Sequence, residues 1–352
     1  MKPVDAIPAG LARAWQREPW WSEPTEGAFR PPLDIDEIAG LATLPDVESL
    51  LVKTHRTDGK TEYKTQSGPF DTSTLGSLGE HDWTLLVRDL DRHLPELGEL
   101  WTHFHWLADY RRADIMVSVA APGGSVGPHR DSYDVFLVQG HGERCWQLAP
   151  GDDAEETPDH PLRLTYPPQF TERVDATPGH TLYVPPGYIH HGVAQTLCTT
   201  WSFGLQAPLV SDIASMANLP GTHSPDERLR DPSIPVRKRH GEIPHDALAA
   251  VSCFDADDAN ALDALGMLLS TPKPGFEPDG ASIPERTGKL HPWTRLYWRT
   301  DRSACSVYCN GQMFVHTNAA IATLERLSEQ HTLSISDDAE LFRWLSGCAA
   351  FE

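Results

Sequence analysis

The sequence predicts an α+β protein with a mainly β core. Between about residues 110 and 208, short segments rich in β-branched and aromatic residues are bounded by Gly or Pro, which is typical of an all-β sandwich or barrel. On both sides of this region, apolar residues recur at helical spacing. The 352-residue chain is 39% hydrophobic and contains 11 Trp, 11 Phe and 8 Tyr, so it has the apolar side chains that a folded core needs.

Two small helices are predicted ahead of the core. Residues 8–20 form a short amphipathic pattern that runs into Pro19. Residues 34–52 begin with an Asp-rich segment and continue with apolar residues at helical spacing.

Five strands are predicted within the core, with a polar, Pro-rich surface insertion between them at residues 151–169. The strand sequences are DIMVSVAAP, DVFLVQG, RCWQLAP, HTLYVPPG and TTWSFGLQAP.

The pattern changes after residue 208. Residues 209–219 and 245–270 are rich in Ala, Leu and Asp at helical spacing, and a Pro-rich linker follows them. Two β-like and two helix-like segments then indicate a small α+β domain. Their sequences are WTRLYWRT, CSVYCNGQMFV, NAAIATLERLSEQHT and DAELFRWLSGCAAF. We therefore predict domains at residues 1–208, 209–274 and 275–352.

The composition argues against several classes of function. The formal net charge is −21, which is unfavourable for a basic nucleic-acid groove, and the basic run at residues 236–240 is too short to change this. No apolar run approaches the roughly 20 residues of a membrane helix, and the N-terminus lacks the apolar region of a secretory signal. We expect a cytoplasmic protein. Six cysteines without a CxxC pair argue against a disulfide framework or a zinc ribbon.

Three residues in the core have the pattern of a metal site. His129 and Asp131 are two apart at the entrance to a predicted strand, so their side chains share a face. His190 follows far downstream on another strand-turn element. Two His and one carboxylate, with open positions opposite, form the facial triad of non-haem Fe(II) oxygenases.

The spacing of Gly179, Pro185, Gly187 and His190 is G-x5-P-x-G-x2-H, which resembles the second signature of cupin barrels. Many metal-binding cupins carry HxH followed by Glu in the first signature. In this chain Asp131 replaces the second His, and Val135 stands at the Glu position. Three protein ligands remain, which leaves room for a bidentate cosubstrate and dioxygen, as a 2-oxoglutarate oxygenase requires.

A 2-oxoglutarate molecule also presents a distal carboxylate, and a buried charge needs a partner. Arg144, in the segment GERCW, is the best-placed cation because a guanidinium binds a carboxylate bidentately. Ser202, on the strand after His190, is a candidate hydroxyl donor to the same cosubstrate.

From DIMVSVAAPGGSVGPHRDSYDVFLVQGHGERCWQL through PGHTLYVPPGYIHHGVA to TTWSFGLQAP, the chain resembles the Jumonji-C ribosomal oxygenases. The resemblance implies a double-stranded β-helix (cupin) barrel, a helical dimerisation region that forms a homodimer, and a winged-helix-like C-terminal domain. It implies Fe(II) as cofactor, with 2-oxoglutarate and O2 as cosubstrates. It also implies hydroxylation at the β-carbon of an arginine in a basic client, large-subunit ribosomal protein L-sixteen.

By motif position, the resemblance assigns the metal to His129, Asp131 and His190. It also places Asp114 and Tyr133 in the pocket for the substrate arginine. An acidic residue in such a pocket is physically sensible because a buried guanidinium needs a charge-assisted partner. The acidic net charge suits a basic client.

Alternative ligands and functions remain open. His191 neighbours His190, but adjacent strand residues face opposite ways, so we expect His191 to be a polar contact near the pocket rim. His103 and His105 form another HxH pair, which we interpret as satisfied or solvated because no third ligand accompanies it. The same chemistry on a histidine of another ribosomal protein, and a non-catalytic cupin-like binding module, are the two rival functions.

Overall fold

The computed structural model describes residues 7–24, 29–219, 224–251, 253–255, 258–278, 284–301, 304–317 and 321–352. Contacts divide these residues into two units. The first, called the barrel unit below, comprises residues 7–103 and 113–205, and the second, the C-terminal unit, comprises 104–112 and 206–352. The predicted division into three domains stays a prediction.

The barrel unit begins with short helices and strands that precede and extend its core. They are α1 (Leu11–Ala14), β1 (Trp20–Ser22), α2 (Ile35–Leu41), β2 (Ser49–Thr57), β3 (Lys60–Ser67), α3 (Thr72–Gly76), β4 (Trp83–Val87) and α4 (Leu90–His93).

The two predicted N-terminal helices are shorter than expected. The first is reduced to α1, and the pattern over 34–52 splits into α2 and the start of β2. Asp34 begins α2 through a capping box with Glu37. The prediction of helix over residues 49–52 was wrong because this apolar run pairs with β4 and, through a tight turn at Asp58 and Gly59, with β3. Both turn residues have positive φ, which is the usual backbone conformation of a two-residue hairpin turn.

Ten strands follow in the barrel unit. They are β5 (Arg112–Ala120), β6 (His129–Arg130), β7 (Val135–Gln139), β8 (Arg144–Ala149), β9 (Glu155–Glu156), β10 (Thr165–Tyr166), β11 (Glu172–Ala176), β12 (Thr181–Val184), β13 (Ile189–Ala194) and β14 (Cys198–Leu205). The five predicted core strands are confirmed as β5, β7, β8, β12 and β14, and the polar insertion contains only the two-residue strands β9 and β10.

These strands form two main antiparallel sheets. The larger has the order β1-β12-β7-β14-β5-β4-β2-β3, and the smaller has the order β11-β8-β13-β6. One apolar cluster joins the inner faces of both sheets, so the sheets pack face to face around it. Its buried members are Val135, Leu137, Leu182 and Val184 from the larger sheet, and Trp146, Leu148, Val174 and Ala176 from the smaller. The predicted mainly β core is therefore confirmed.

The C-terminal unit combines helices with small sheets. Its elements are α5 (Val210–Met216), α6 (Ala259–Ser270), β15 (Thr287–Lys289), β16 (Leu296–Asp301), β17 (Ala304–Cys309), β18 (Gln312–His316), α7 (Ile321–Gln330), β19 (Thr332–Ser334) and α8 (Ala339–Gly347). The helix predicted over 245–270 begins only at Ala259, where the side chain of Asp258 caps it by accepting from the backbone N–H of Ala261.

Two apolar clusters stabilise this unit. One surrounds α5 and α6, and the other lies between β16–β17 and helices α7 and α8. Cys305, Cys309 and Cys348 are buried in the second cluster as free thiols. Among the helices of the described ranges, none is long and apolar enough to cross a membrane.

Candidate active site

Three side chains of metal-ligating types converge at one end of the smaller sheet. His129 on β6 lies opposite His190 on β13, and Asp131 follows immediately after β6. One ligand atom from each lies within 4.8 Å of the others, and the Nε2 of His190 is 3.7 Å from the Oδ2 of Asp131. The described residues hold no other group of this kind. The structure thus brings the predicted triad together.

The position of Asp131 relative to the strand differs from the expectation. The strand β6 ends at Arg130, so Asp131 lies just beyond it rather than on it. The backbone N–H of Gly187 donates to the carbonyl of Asp131 at 2.7 Å. This bond holds Asp131 to the turn that leads into β13, and so to His190.

Main-chain carbonyls orient both imidazole rings. The Nδ1 of His129 is 3.0 Å from the carbonyl oxygen of Gly127, and the Nδ1 of His190 is 3.4 Å from that of Tyr188. When Nδ1 carries the proton for such a bond, Nε2 is left as the free donor atom. The rings therefore present Nε2 as their ligand atoms.

The His190 ring is 2% exposed. Burial, reinforced by the neighbouring His129, lowers the pKa of His190 to about 4. The ring is consequently neutral near pH 7, which is the form that binds a metal. His129 and Asp131 are half-buried, so the site is reachable from solvent on their side.

Arg144 lies on the same inner face as the triad, deeper in the barrel. It pairs in register with Ala194 of β13, whereas His190 pairs with Leu148. The Arg144 side chain is 4% exposed, and its guanidinium carbon lies 5.6 Å from the ring centroid of Trp146. The Trp146 ring centroid is in turn 6.1 Å from that of His190. Along β8, Trp146 thus lies between Arg144 and Leu148, the residue that pairs with His190.

The guanidinium of Arg144 makes few hydrogen bonds within the described part of the chain. One terminal nitrogen donates to the Sγ of Cys198 at 3.6 Å, a weak bond, and Nε has no hydrogen-bond partner in the described part of the chain. No carboxylate among the described residues forms an ion pair with it. A buried cation without a counter-charge is costly, so this interior is suited to an anionic ligand.

Ser202 also faces the barrel interior. It pairs with Leu137 of β7, whose side chain belongs to the inner cluster, and it is 7% exposed. Its position is compatible with the predicted role of donor to a cosubstrate.

Asp114 and Tyr133, the two residues predicted to bind the substrate, lie in different surroundings. The carboxylate of Asp114 on β5 lies against Gly204 of β14, where a Cβ atom would stand 2.6 Å from Oδ1. Glycine at this position makes room for the carboxylate. Tyr133 lies two residues after Asp131 and is 37% exposed, so its side chain reaches solvent close to the triad in sequence.

The other histidines lie outside the triad. His191 points away from His190, places its Nε2 3.3 Å from the Oη of Tyr63, and stacks on Phe170 with ring centroids 5.9 Å apart. His103 packs edge-on against Phe29.

Sequence reasoning missed a carboxylate on the inner face. The hydroxyl of Tyr188 donates to Oε1 of Glu172 at 3.0 Å. Glu172 belongs to no motif, and it follows directly on the polar insertion. The alternation in ERVDA was nevertheless a usable signal, because it places Glu172 on the same face as the buried Val174 and Ala176.

Comparisons with known proteins agree with this geometry. A family model described as the JmjC domain matches residues 99–213. A "Probable ribosomal oxygenase" of Haemophilus influenzae is 38% identical over 221 residues, which are 61% of this chain and 52% of that protein. A "Ribosomal protein uL16 3-hydroxylase" of Escherichia coli is 35% identical over 245 residues, which are 67% of this chain and 62% of that protein. The chain thus covers less than two thirds of either relative.

Solved structures extend the similarity to the whole chain. The crystal structure of E. coli YcfD superposes with a TM-score of 0.69 at 25% identity, covering 97% of this chain and 96% of that one. YcfD in complex with cobalt and 2-oxoglutarate gives a TM-score of 0.66 at 25% identity, covering 97% and 95%. The chain therefore has the JmjC/cupin fold, with a mainly β core and additional helices.

Proposed function

The chain contains a JmjC domain, and we propose that it is an Fe(II)- and 2-oxoglutarate-dependent hydroxylase of a ribosomal protein. The observation that carries the proposal is the pairing of a His–Asp–His triad with a buried guanidinium that lacks a counter-charge in the same barrel. The triad provides a metal site with open positions, and the guanidinium matches a dicarboxylate cosubstrate. The solved complex of YcfD with cobalt and 2-oxoglutarate supports the same ligand pair.

Each residue then has a defined task. His129, Asp131 and His190 hold the iron, and Arg144 binds the distal carboxylate of 2-oxoglutarate, with Ser202 as an additional donor. When bound, the iron and its cosubstrates supply oxidative chemistry in which 2-oxoglutarate, O2 and a C–H bond yield succinate, CO2 and an alcohol. The apolar inner cluster lines the interior where this occurs.

The client that we propose is ribosomal protein uL16, hydroxylated at the β-carbon of an arginine. The name of the E. coli relative supports this client. Asp114 and Tyr133 are the residues that we assign to the substrate side chain, since a carboxylate is the natural partner of a guanidinium. The net charge of −21 favours encounter with a basic protein.

We further propose that residues 209–274 mediate a homodimer, that residues 275–352 form a winged-helix-like domain, and that the protein acts in the cytoplasm. The three-stranded sheet β16–β18 together with α7 and α8 supports the second assignment. The mass in solution, measured by analytical ultracentrifugation, tests the dimer.

The decisive experiment combines the purified protein with Fe(II), 2-oxoglutarate, air and unmodified large-subunit ribosomal proteins. Mass spectrometry should detect a gain of one oxygen on an arginine of uL16. The His129→Ala variant should give none. A gain on a histidine of another protein would instead identify the rival client.

The metal site has a separate test that needs no client. Under anaerobic conditions, Fe(II) and 2-oxoglutarate added to the wild-type protein should produce the visible charge-transfer band of the ternary complex. Well-folded protein that gives no band would favour the non-catalytic binding module.

A further inference from the structure

Glu172 belongs to a row of residues that crosses the smaller sheet and ends at the metal triad. In register, Glu172 on β11 pairs with Leu148 on β8, Leu148 pairs with His190 on β13, and His190 pairs with His129 on β6. Directly paired residues of antiparallel strands project from the same face. The Glu172 carboxylate therefore projects from the face that carries both histidines.

The alternation along β11 confirms this orientation. Val174 and Ala176 are buried in the inner cluster, whereas Arg173 and Asp175 are exposed and form an ion pair at 2.9 Å on the outer face. Ala176 pairs with Arg144, at the deep end of the barrel. Glu172 is thus the inward-facing residue of β11 at the end where the triad lies, and it is half-buried.

Tyr188 fixes one oxygen of this carboxylate. Its hydroxyl donates to Oε1 of Glu172 at 3.0 Å, and its ring packs against the inner cluster. The other oxygen, Oε2, has no hydrogen-bond partner in the described ranges, and no Lys, Arg or His within them forms an ion pair with Glu172. An inward-facing carboxylate in this state is available to a cation.

Glu172 and Asp114 lie on different sides of the barrel. Glu172 is on β11 of the smaller sheet, and Asp114 is on β5 of the larger sheet, which packs against it face to face. Packed sheets lie about 10 Å apart, so the two carboxylates are presented from opposing sheets.

Arg144 gives independent evidence that this interior receives a ligand, since its buried Nε has no partner in the described part of the chain. The carboxylates of Asp114 and Glu172 lie on either side of that interior.

We propose that Glu172, positioned by Tyr188, determines specificity by binding a second basic side chain of the client, which flanks the residue that is hydroxylated. This inference rests on the proposed function, because it specifies the client segment as a peptide with two cationic side chains. Tyr188 acts as a positioning residue, since it holds Glu172 with one oxygen free.

The test measures peptide binding by the full-length protein, with Fe(II) and 2-oxoglutarate under argon. One fluorescent peptide carries a central Arg with basic flanking residues, and a matched peptide carries Gln in place of the flanking residues. Loss of one charge-assisted hydrogen bond corresponds to about tenfold in affinity. Fluorescence anisotropy at low salt should show that Glu172→Gln weakens binding of the basic peptide about tenfold and leaves the Gln peptide unchanged.

Two further variants sharpen the result. Tyr188→Phe should weaken binding of the basic peptide about threefold and have no effect on the Gln peptide. Asp175→Asn on the outer face of β11 should bind both peptides as the wild type does. A Glu172→Gln variant that binds both peptides with wild-type affinity, or loses affinity equally for both, would overturn the proposal.

The outcome is separable from that of the proposed function. If neither peptide nor uL16 is hydroxylated while Glu172→Gln still loses affinity only for the basic peptide, Glu172 binds a basic side chain, and the assignment of uL16 as client fails. If the basic peptide is hydroxylated but Glu172→Gln has no effect, the inference fails and the function stands. Should Glu172→Gln fold poorly, Tyr188→Phe carries the test, and equal affinity of this variant and the wild type for the basic peptide would overturn the proposal.

Discussion

The guanidinium of Arg144 lies over the ring of Trp146, at 5.6 Å from its centroid, and Trp146 lies beside His190. Gly192 permits this arrangement, because a Cβ atom there would stand 2.6 Å from the Trp146 ring. A cation–π contact satisfies part of the guanidinium's charge without a carboxylate. The cation is thereby kept in the barrel and available to an anionic cosubstrate.

Replacement of Arg144 by Met should separate cosubstrate binding from stability. We expect the variant to bind 2-oxoglutarate at least 30-fold more weakly, roughly 2 kcal/mol, because a buried charge-assisted pair is lost. Without cosubstrate, its Tm should equal or exceed that of the wild type, since an uncompensated buried charge is removed. Calorimetric titration of 2-oxoglutarate and thermal unfolding measure the two effects.

Arg173→Met, on the exposed outer face of β11, is the matched control and should leave 2-oxoglutarate affinity unchanged. Wild-type affinity in Arg144→Met would remove Arg144 from the site.

Gly204→Ala should weaken binding of the ribosomal client and leave binding of 2-oxoglutarate unchanged. The new Cβ atom would stand 2.6 Å from the Oδ1 of Asp114, so the carboxylate must move. We expect the KM for the ribosomal client to rise about tenfold, as for loss of one charge-assisted contact, with the KM for 2-oxoglutarate within twofold. Steady-state kinetics with each substrate varied in turn checks this.

Gly79→Ala is the control, because a Cβ atom there meets nothing within 4 Å. A Gly204→Ala enzyme with unchanged client KM would show that Asp114 does not contact the substrate.

Tyr183→Phe should destabilise the barrel unit. The hydroxyl of Tyr183 donates at 2.6 Å to Oδ1 of Asp134, a fully buried carboxylate that also accepts from the side chain of Gln16 at 2.9 Å. Removing one donor from a buried carboxylate costs about 1–3 kcal/mol. Urea unfolding of the wild type and the variant measures the loss.

The comparison for Tyr183→Phe is Tyr166→Phe, at a residue that is 38% exposed. Its effect should stay within about 0.5 kcal/mol, as for most surface substitutions. Equal stability of Tyr183→Phe and wild type would mean that Gln16 and other donors satisfy Asp134 without the tyrosine.

The predictability of the site depended on local spacing. The triad was foreseeable because two ligands are two residues apart and the third belongs to a Gly/Pro-spaced turn. The position of Asp131 beyond β6 was not, since the end of the strand depends on its pairing with β13. Glu172 was missed because its alignment with the triad depends on register across four strands, which no short motif encodes.

In the fold, too, local patterns predicted some elements and failed for others. The core strands were predictable from alternation and Gly/Pro boundaries, as in the segment that forms β7. The hairpin β2–β3 was mistaken at its start for helix, although Asp58–Gly59 carried the turn signal. Helix α6 begins later than its composition suggested because Asp258 caps it.

The C-terminal unit should lose stability in acid through Asp109. Burial raises the pKa of Asp109, but the nearby His240, whose Nδ1 is 3.6 Å from Oδ2, the charges of Arg112 and Arg237, and the backbone N–H of Gly241 outweigh burial and hold it at about 2. The unfolded value is about 3.9. The folded state therefore gains stability that is fully present above about pH 5 and disappears as the pH falls through about 2, in total about 2–3 kcal/mol.

Asp109→Asn should remove this part of the pH dependence. At pH 6 the variant should be less stable than the wild type by about 2–3 kcal/mol, and the difference should shrink as the pH approaches 2. Arg112 and Arg237 keep their charges over this range, because a guanidinium is not deprotonated in proteins. Burial lowers the pKa of His331 and Asp109 raises it, so this imidazole contributes to both curves. Urea unfolding at several pH values between 6 and 2.5 gives the free energy of unfolding of each protein as a function of pH. Parallel curves for the two proteins would show that Asp109 titrates at its ordinary value.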